Sequence, residues 1–161
     1  MPSLDMIQTL IEYDIVMTRR VWESILAISD EQYLQDDQYS RGSIRNLMIH
    51  LASTERRWLA GLKNEPDVGH LSFQDYPGRQ QGKDLFENVA ADLHGYTAAL
   101  TEIALEEKPP DIPATRADVL LHLVNHGTDH RATVLQMLYK IGASTFEQDF
   151  ITWLWQRERG E

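Results

Sequence analysis

Four stretches of this chain repeat apolar side chains every three to four residues over many turns, and that repetition limits the fold more than any other feature. Residues 4–28 carry Leu4, Ile7, Ile11, Ile15, Trp22, Ile25 and Leu26, with Ser3 placed to cap the first turn. Residues 43–63 carry Ile44, Leu47, Met48, Leu51, Trp58, Leu59 and Leu62. A third amphipathic run covers 83–107 and is closed by "KPPDIP", whose prolines forbid a continuing helix. A fourth begins at Thr115, with Asp118 three residues on in a capping-box arrangement, and continues to Gly142 as its terminator. The segment "FEQDFITWLWQRE" follows and is expected to pack through Phe150, Trp153 and Leu154. The sequence has no strand-like alternation of useful length, no internal repeat and no low-complexity segment.

Helices of this kind bury their apolar faces only against one another, so the expectation is an all-α fold: one four-helix bundle domain over residues 1–161, with a short C-terminal helix. The polar connection "SDEQYLQDDQYSRG" and the longer stretch over 64–82 are both long enough to cross the bundle, so the spacing leaves connectivity open. The second of these holds two prolines and three glycines and exceeds ordinary loop length, which suits a functional loop as well as a surface excursion.

Composition narrows the chemistry. A formal charge of −10 repels polyphosphate and anionic lipid, which argues against nucleic-acid and membrane-surface partners. No apolar run approaches the roughly 20 residues needed to span a bilayer, and the start is acidic where a signal peptide is basic, so a cytoplasmic protein is expected. The absence of cysteine removes disulfides, thiolate nucleophiles and sulfur-ligated metal. Any metal must be held by nitrogen and oxygen.

Histidines become the main candidates. There are six: His50, His70, His94, His122, His126 and His130. At about 100° per residue, Leu120, Leu123, Val124, Val134, Leu138 and Ile141 define the apolar stripe of the last long run. His130 falls within that stripe and His126 on its edge, while His122 lies toward the water-facing side with Asp118, Asn125 and Asp129. The wheel therefore ranks the 126/130 pair above 122/126, although both have i, i+4 spacing that suits a shared ligand. Two inward rings cost desolvation unless something binds them. A third ligand has to come from another helix; His50, on the flank of its own stripe, is acceptable for this but not compelled. His70 in the loop reads first as solvated, and His94 as a surface or edge residue.

Other site patterns fail on particular residues. Gly127 stands where an H-E-x-x-H metalloprotease helix carries its glutamate, no Glu-x-x-His pair of the ferritin-like di-iron type occurs, and "GKD" at 82–84 lacks the context of a phosphate loop. Glu55 on the apolar stripe of its helix would be costly unpaired, and Arg131 is its expected partner, as a structural ion pair rather than catalytic machinery. Arg56, Arg57, Trp22, Trp58, Trp153 and Trp155 read as solvated charges and packing groups.

Two segments, "SIRNLMIHLASTERRWL" and "LLHLVNHGTDHRATVLQML", resemble the DinB-like family, the DinB/YfiT-like helical bundles. The first run and the "DFITWL" tail are also similar, so the resemblance spans almost the whole chain. It implies a four-helix bundle with a crossover, often dimeric, and a divalent ion on three histidines that match His50, His126 and His130 here. Thr133 departs from the glutamine that relatives often place two residues after the histidine-arginine pair. The broader group includes thiol-dependent S-transferases and isomerases that use low-molecular-weight thiols.

These readings combine into an expected metal-dependent enzyme acting on a small molecule, as a homodimer, with the ion activating a thiol or water and thiol transfer favoured over hydrolysis. No catalytic residue is assigned. Zinc and nickel suit imidazole best, with manganese and iron as further candidates. The alternative is a non-catalytic, stress-related dimeric bundle that binds metal without turnover.

Overall fold

Nearly every helix starts where the sequence supplies an acceptor for the free amides of its first turn. The computed structural model describes residues 2–160. The Ser3 hydroxyl accepts from Met6 N at the start of α1 (Leu4–Leu26), and Ser29 forms a reciprocal capping box with Gln32 at α2 (Asp30–Leu34). Ser43 accepts from Asn46 N at α3 (Ile44–Leu62), while at α4 (Arg79–Ala98) the Gln81 side chain accepts from Gly78 N. Thr101 caps α5 (Glu102–Glu106), and the expected Thr115–Asp118 box opens α6 (Arg116–Lys140). Asp149 caps α7 (Phe150–Arg159), and Gly142, at φ +73°, follows the end of α6. The fold is the all-α four-helix bundle that the periodicity predicts, built from α1, α3, α4 and α6, with α7 as the short C-terminal helix; no strand occurs among the described residues.

One expectation changes in detail, and one open connection is settled. The run assigned to one helix over 83–107 is two: α4 begins four residues earlier and stops at Ala98, and the Thr101 hydroxyl accepts from Ala104 N to start α5 in a new direction. A threonine that caps competes with one that continues a helix, and the new direction lets α5 bury Leu105 against α6. The connection before α3 joins diagonally opposed helices across one end of the bundle, where Asp30 meets Arg79 of α4 and Asp37 meets Lys140 of α6. It folds into α2, which buries Tyr33 beside α3.

Side-chain contacts fix the directions of the long helices. Arg19 pairs with Glu87 and Gln8 Nε2 donates to Thr97 O, so α1 and α4 are antiparallel. Lys63 meets Asp92, and a Cβ on Gly82 would lie 3.3 Å from Ile49, so α3 and α4 are parallel. Trp58 meets His122 while His50 meets His126 and His130, so α3 and α6 are antiparallel. Each of α1 and α3 packs on both α4 and α6. The order is up, down, down, up, with a single long crossover between the parallel α3 and α4.

That crossover, 63–78, returns along α3. Arg56 Nη2 donates to Val68 O at 2.7 Å, Arg57 is bidentate on Asp67, and Leu71 N donates to Ser53 Oγ at 2.9 Å. A 3-10 turn at Phe73–Asp75 follows. Arg56 and Arg57 are thus straps that hold the loop, not solvated charges. Trp22 is fully buried and Trp153 nearly so, as packing groups should be, while Trp155 is 54% exposed.

Candidate metal centre

The antiparallel pairing of α3 and α6 solves the register problem posed by the sequence. His50 lies in the second turn of α3 and the other two histidines flank the middle of α6, so opposed directions bring all three to one level. Ring centroids stand 5.3 Å apart for His50 and His126, 5.0 Å for His50 and His130, and 4.3 Å for His126 and His130. One nitrogen from each ring falls within a 4.8 Å group, with Nε2 of His126 and His130 only 3.0 Å apart. A tetrahedral ion at about 2.05 Å from each nitrogen requires separations of about 3.3 Å, so the donors need only small rotations to share one.

The electrostatics suit a cation ligand set. Burial pushes His50 down to about 3 and His126 down to about 4, and lowers His130, with the Arg41 charge adding to each shift. All three rings are therefore neutral near pH 7 and present lone pairs. Thr54 Oγ1 sits 3.4 Å from His50 Nδ1, which leaves His50 Nε2 for the cluster. His126 Nδ1 is buried with no hydrogen-bond partner among the described residues. An unsatisfied buried nitrogen and two nitrogens facing each other at hydrogen-bond distance are what three ligands look like when nothing within the protein meets their demand.

Of the other histidines, none joins this group. His122 is exposed, as its position on the wheel implied, and meets Trp58 edge-on at 5.5 Å. His70 is exposed, as expected, and its Nε2 lies 2.6 Å from Arg57 Nη1 of the loop strap. His94 is exposed on α4. His50 and His70 line a cavity of about 780 Å³ with Arg41, Thr54, Arg57 and Trp58; its far end is formed by Gly61, Glu65, Asp111 and Ile112.

One turn deeper lies a second polar group whose composition the sequence misassigned. Arg131, fully buried, does not bond the expected Glu55; its Nη1 donates to Asp14 on α1 and, at 3.1 Å, to Thr18. Its remaining donors reach Gln148 Oε1 at 3.0 Å and Thr128 Oγ1 at 3.1 Å. Glu55, 4% exposed, stands near both, and burial together with the Asp14 charge raises it to about 8 against the opposing pull of Arg131. Burial raises the Asp14 carboxyl as well, against the pull of Arg131; Asp14 bonds the guanidinium directly, and Glu55 keeps its proton at neutral pH. Gly127 belongs to this group too. A Cβ there would collide with Asp14 Oδ1 and come within 2.8 Å of Arg131 Nη1. Asp14 had a signal in the sequence: it continues the stripe Ile7, Ile11, Thr18, Ile25, all buried.

Adjacent helices of the bundle thus present three neutral histidines beside a cavity, a group compatible with a metal ion. The DinB family model matches residues 4–161, and the chain belongs to the DinB family. No curated protein matches it. The residues brought together are the three that the sequence resemblance had selected, and their geometry is compatible with a metal ion.

Proposed function

We propose that this protein is a metal-dependent enzyme in which His50, His126 and His130 hold a divalent ion, zinc or nickel by preference of imidazole, and the adjoining cavity admits a thiol substrate. The observation that carries the reading is the convergence of three neutral imidazoles, one of which lines a cavity large enough for a small organic molecule. An ion on three neutral nitrogens keeps its full charge and an open position, and so lowers the pKa of a thiol or water placed against it. The chain's own residues bind and orient. Thr54 fixes the His50 tautomer, Trp58 gives the substrate an apolar wall, and the strapped loop closes one side from water.

Thiol transfer is favoured over hydrolysis because, among the described residues, no unengaged carboxylate lines the histidine end of the cavity. Asp67 is engaged by Arg57, Glu65 and Asp111 lie at the far end of the cavity, and Glu55 faces the Asp14–Arg131 pair. A thiol, already more acidic than water, has less need of a base. The resemblance supports a homodimer, and the finding that no described helix is long and apolar enough to cross a membrane is consistent with a cytoplasmic place of action.

The test is metal analysis of protein prepared without a histidine tag, followed by His126→Ala and His130→Ala. Near-stoichiometric metal in the native protein and its loss in both variants is the expected result; unchanged metal content in both overturns the site. Thiol transfer further predicts a metal-dependent rate with an electrophile and a low-molecular-weight thiol.

A further inference from the structure

The cavity beside His50 has a charge polarity that the histidines do not explain. Its floor is one face of α3, where His50, Thr54, Trp58 and Gly61 recur at helical spacing over about 16 Å. At the His50 end stands Arg41, two residues before the Ser43 cap. At the other end stand Glu65 and Asp111, beside the last turn of α3, which is the negative end of the helix dipole. The two arginines of the wall differ. Arg57 is neutralised by Asp67, with Nε at 3.0 Å and Nη2 at 2.9 Å. The Arg41 guanidinium has no ion pair among the described residues; only its carbonyl is used, by Asn46 Nδ2.

An unpaired cation at this place opposes the cluster's own ligand. It lines the same cavity as His50, so it weakens a cation bound there unless negative charge arrives from outside. The cavity supplies the route for that charge, and its acidic far end sets the direction: an anionic group is attracted to the Arg41 end and repelled from the other. That acidic end and the chain's charge of −10 also weigh against a polyanion such as a polyphosphate. A guanidinium pairs bidentately with a carboxylate.

We propose that Arg41 is the anion-recognition residue of this cavity, and that its substrate is a thiol bearing a carboxylate, which pairs with Arg41 while the sulfur reaches the three histidines. This rests on the metal-site reading above.

Cobalt-loaded protein offers a binding readout independent of turnover, the thiolate-to-cobalt charge-transfer band. Three probes place different groups two carbons from sulfur: 3-mercaptopropionate, 2-mercaptoethanol and cysteamine. Each is titrated into the native protein, Arg41→Gln and Arg41→Glu, and compared only with itself across variants, so that differing thiol acidities cancel. For 3-mercaptopropionate, Kd is expected to rise about ten- to a hundredfold in Arg41→Gln, the size of one charge-assisted hydrogen bond, and further in Arg41→Glu. For 2-mercaptoethanol it stays unchanged, and for cysteamine it falls in Arg41→Glu. An unchanged Kd for 3-mercaptopropionate, or an equal loss for all three thiols, overturns the role of Arg41. Absence of a cobalt spectrum sinks the metal reading instead; the same titrations are then followed by calorimetry, where a carboxylate preference that vanishes in Arg41→Gln still upholds Arg41 and its absence still overturns it.

Discussion

His130 and Arg131 are consecutive on α6 and face opposite fates. Arg131 points into the bundle and finds Asp14, Thr18, Thr128 and Gln148. His130 points toward α3 and finds only two other histidines, each as short of donors as itself. The first group is closed: its charges and hydrogen bonds are met within the chain. The second is open, because its lone pairs converge on a point where no protein atom answers them. Buried polar groups cost free energy unless satisfied. A closed group is therefore a structural element, and an open one implies a ligand from outside.

The contrast is breakable, beginning with its larger half. Asp14→Ala leaves Arg131 buried and unpaired and is expected to cost about 3–5 kcal/mol, read as a lowered denaturant midpoint with or without metal. Histidine variants, by comparison, should leave the metal-free protein nearly as stable and lose only stabilisation by added metal. If Asp14→Ala unfolds no more readily than His126→Ala does without metal, the distinction between closed and open groups fails.

Gly127→Ala strikes the same group by shape alone. The added methyl meets Asp14 Oδ1 and Arg131 Nη1, and the expected loss is about 1–3 kcal/mol, although alanine is otherwise the better helix former. A stabilised variant in thermal unfolding would show that the helices part without cost.

Glu55 gives the smallest effect and the most specific. Its ordinary value of 4.5 rises to about 8 in the fold. The folded protein thus holds a proton that the unfolded chain has lost, so this contribution is present below pH 4.5 and is lost as pH rises toward 8. The slope is up to about 1.4 kcal/mol per pH unit. In metal-free protein, Glu55→Gln should flatten the decline measured by urea unfolding between pH 6 and 8. An equal slope in both proteins would return Glu55 to ordinary acidity.

Much of this was legible in the sequence, because helix faces are a local property. The positions of Ser3, Ser43, Thr115 and Gly142 mark boundaries to within a residue or so, and the wheel of the last long run separates His126 and His130 from His122. What was hidden depends on distant residues. The break after Ala98 depends on where α5 buries Leu105. The antiparallel match of α3 with α6 depends on a crossover whose path is fixed by Arg56, Arg57 and Ser53 reaching its backbone and Asp67. The partner of Arg131 depends on which helix lies across from it, and α1, not α3, takes that place. Asp14 was nevertheless visible as a carboxylate on an apolar stripe, a signal that the sequence reading did not use.

The strapped crossover has a consequence for how this protein can diversify. The three histidines belong to helices, whereas Asp67 and His70 in the cavity wall belong to a connection held by a few side-chain bonds. Loops tolerate insertion and exchange far better than packed helices do. The histidine cluster and part of the cavity wall are thus carried on separately inheritable parts: a lengthened or rewritten crossover gives a new wall with the three histidines left in place.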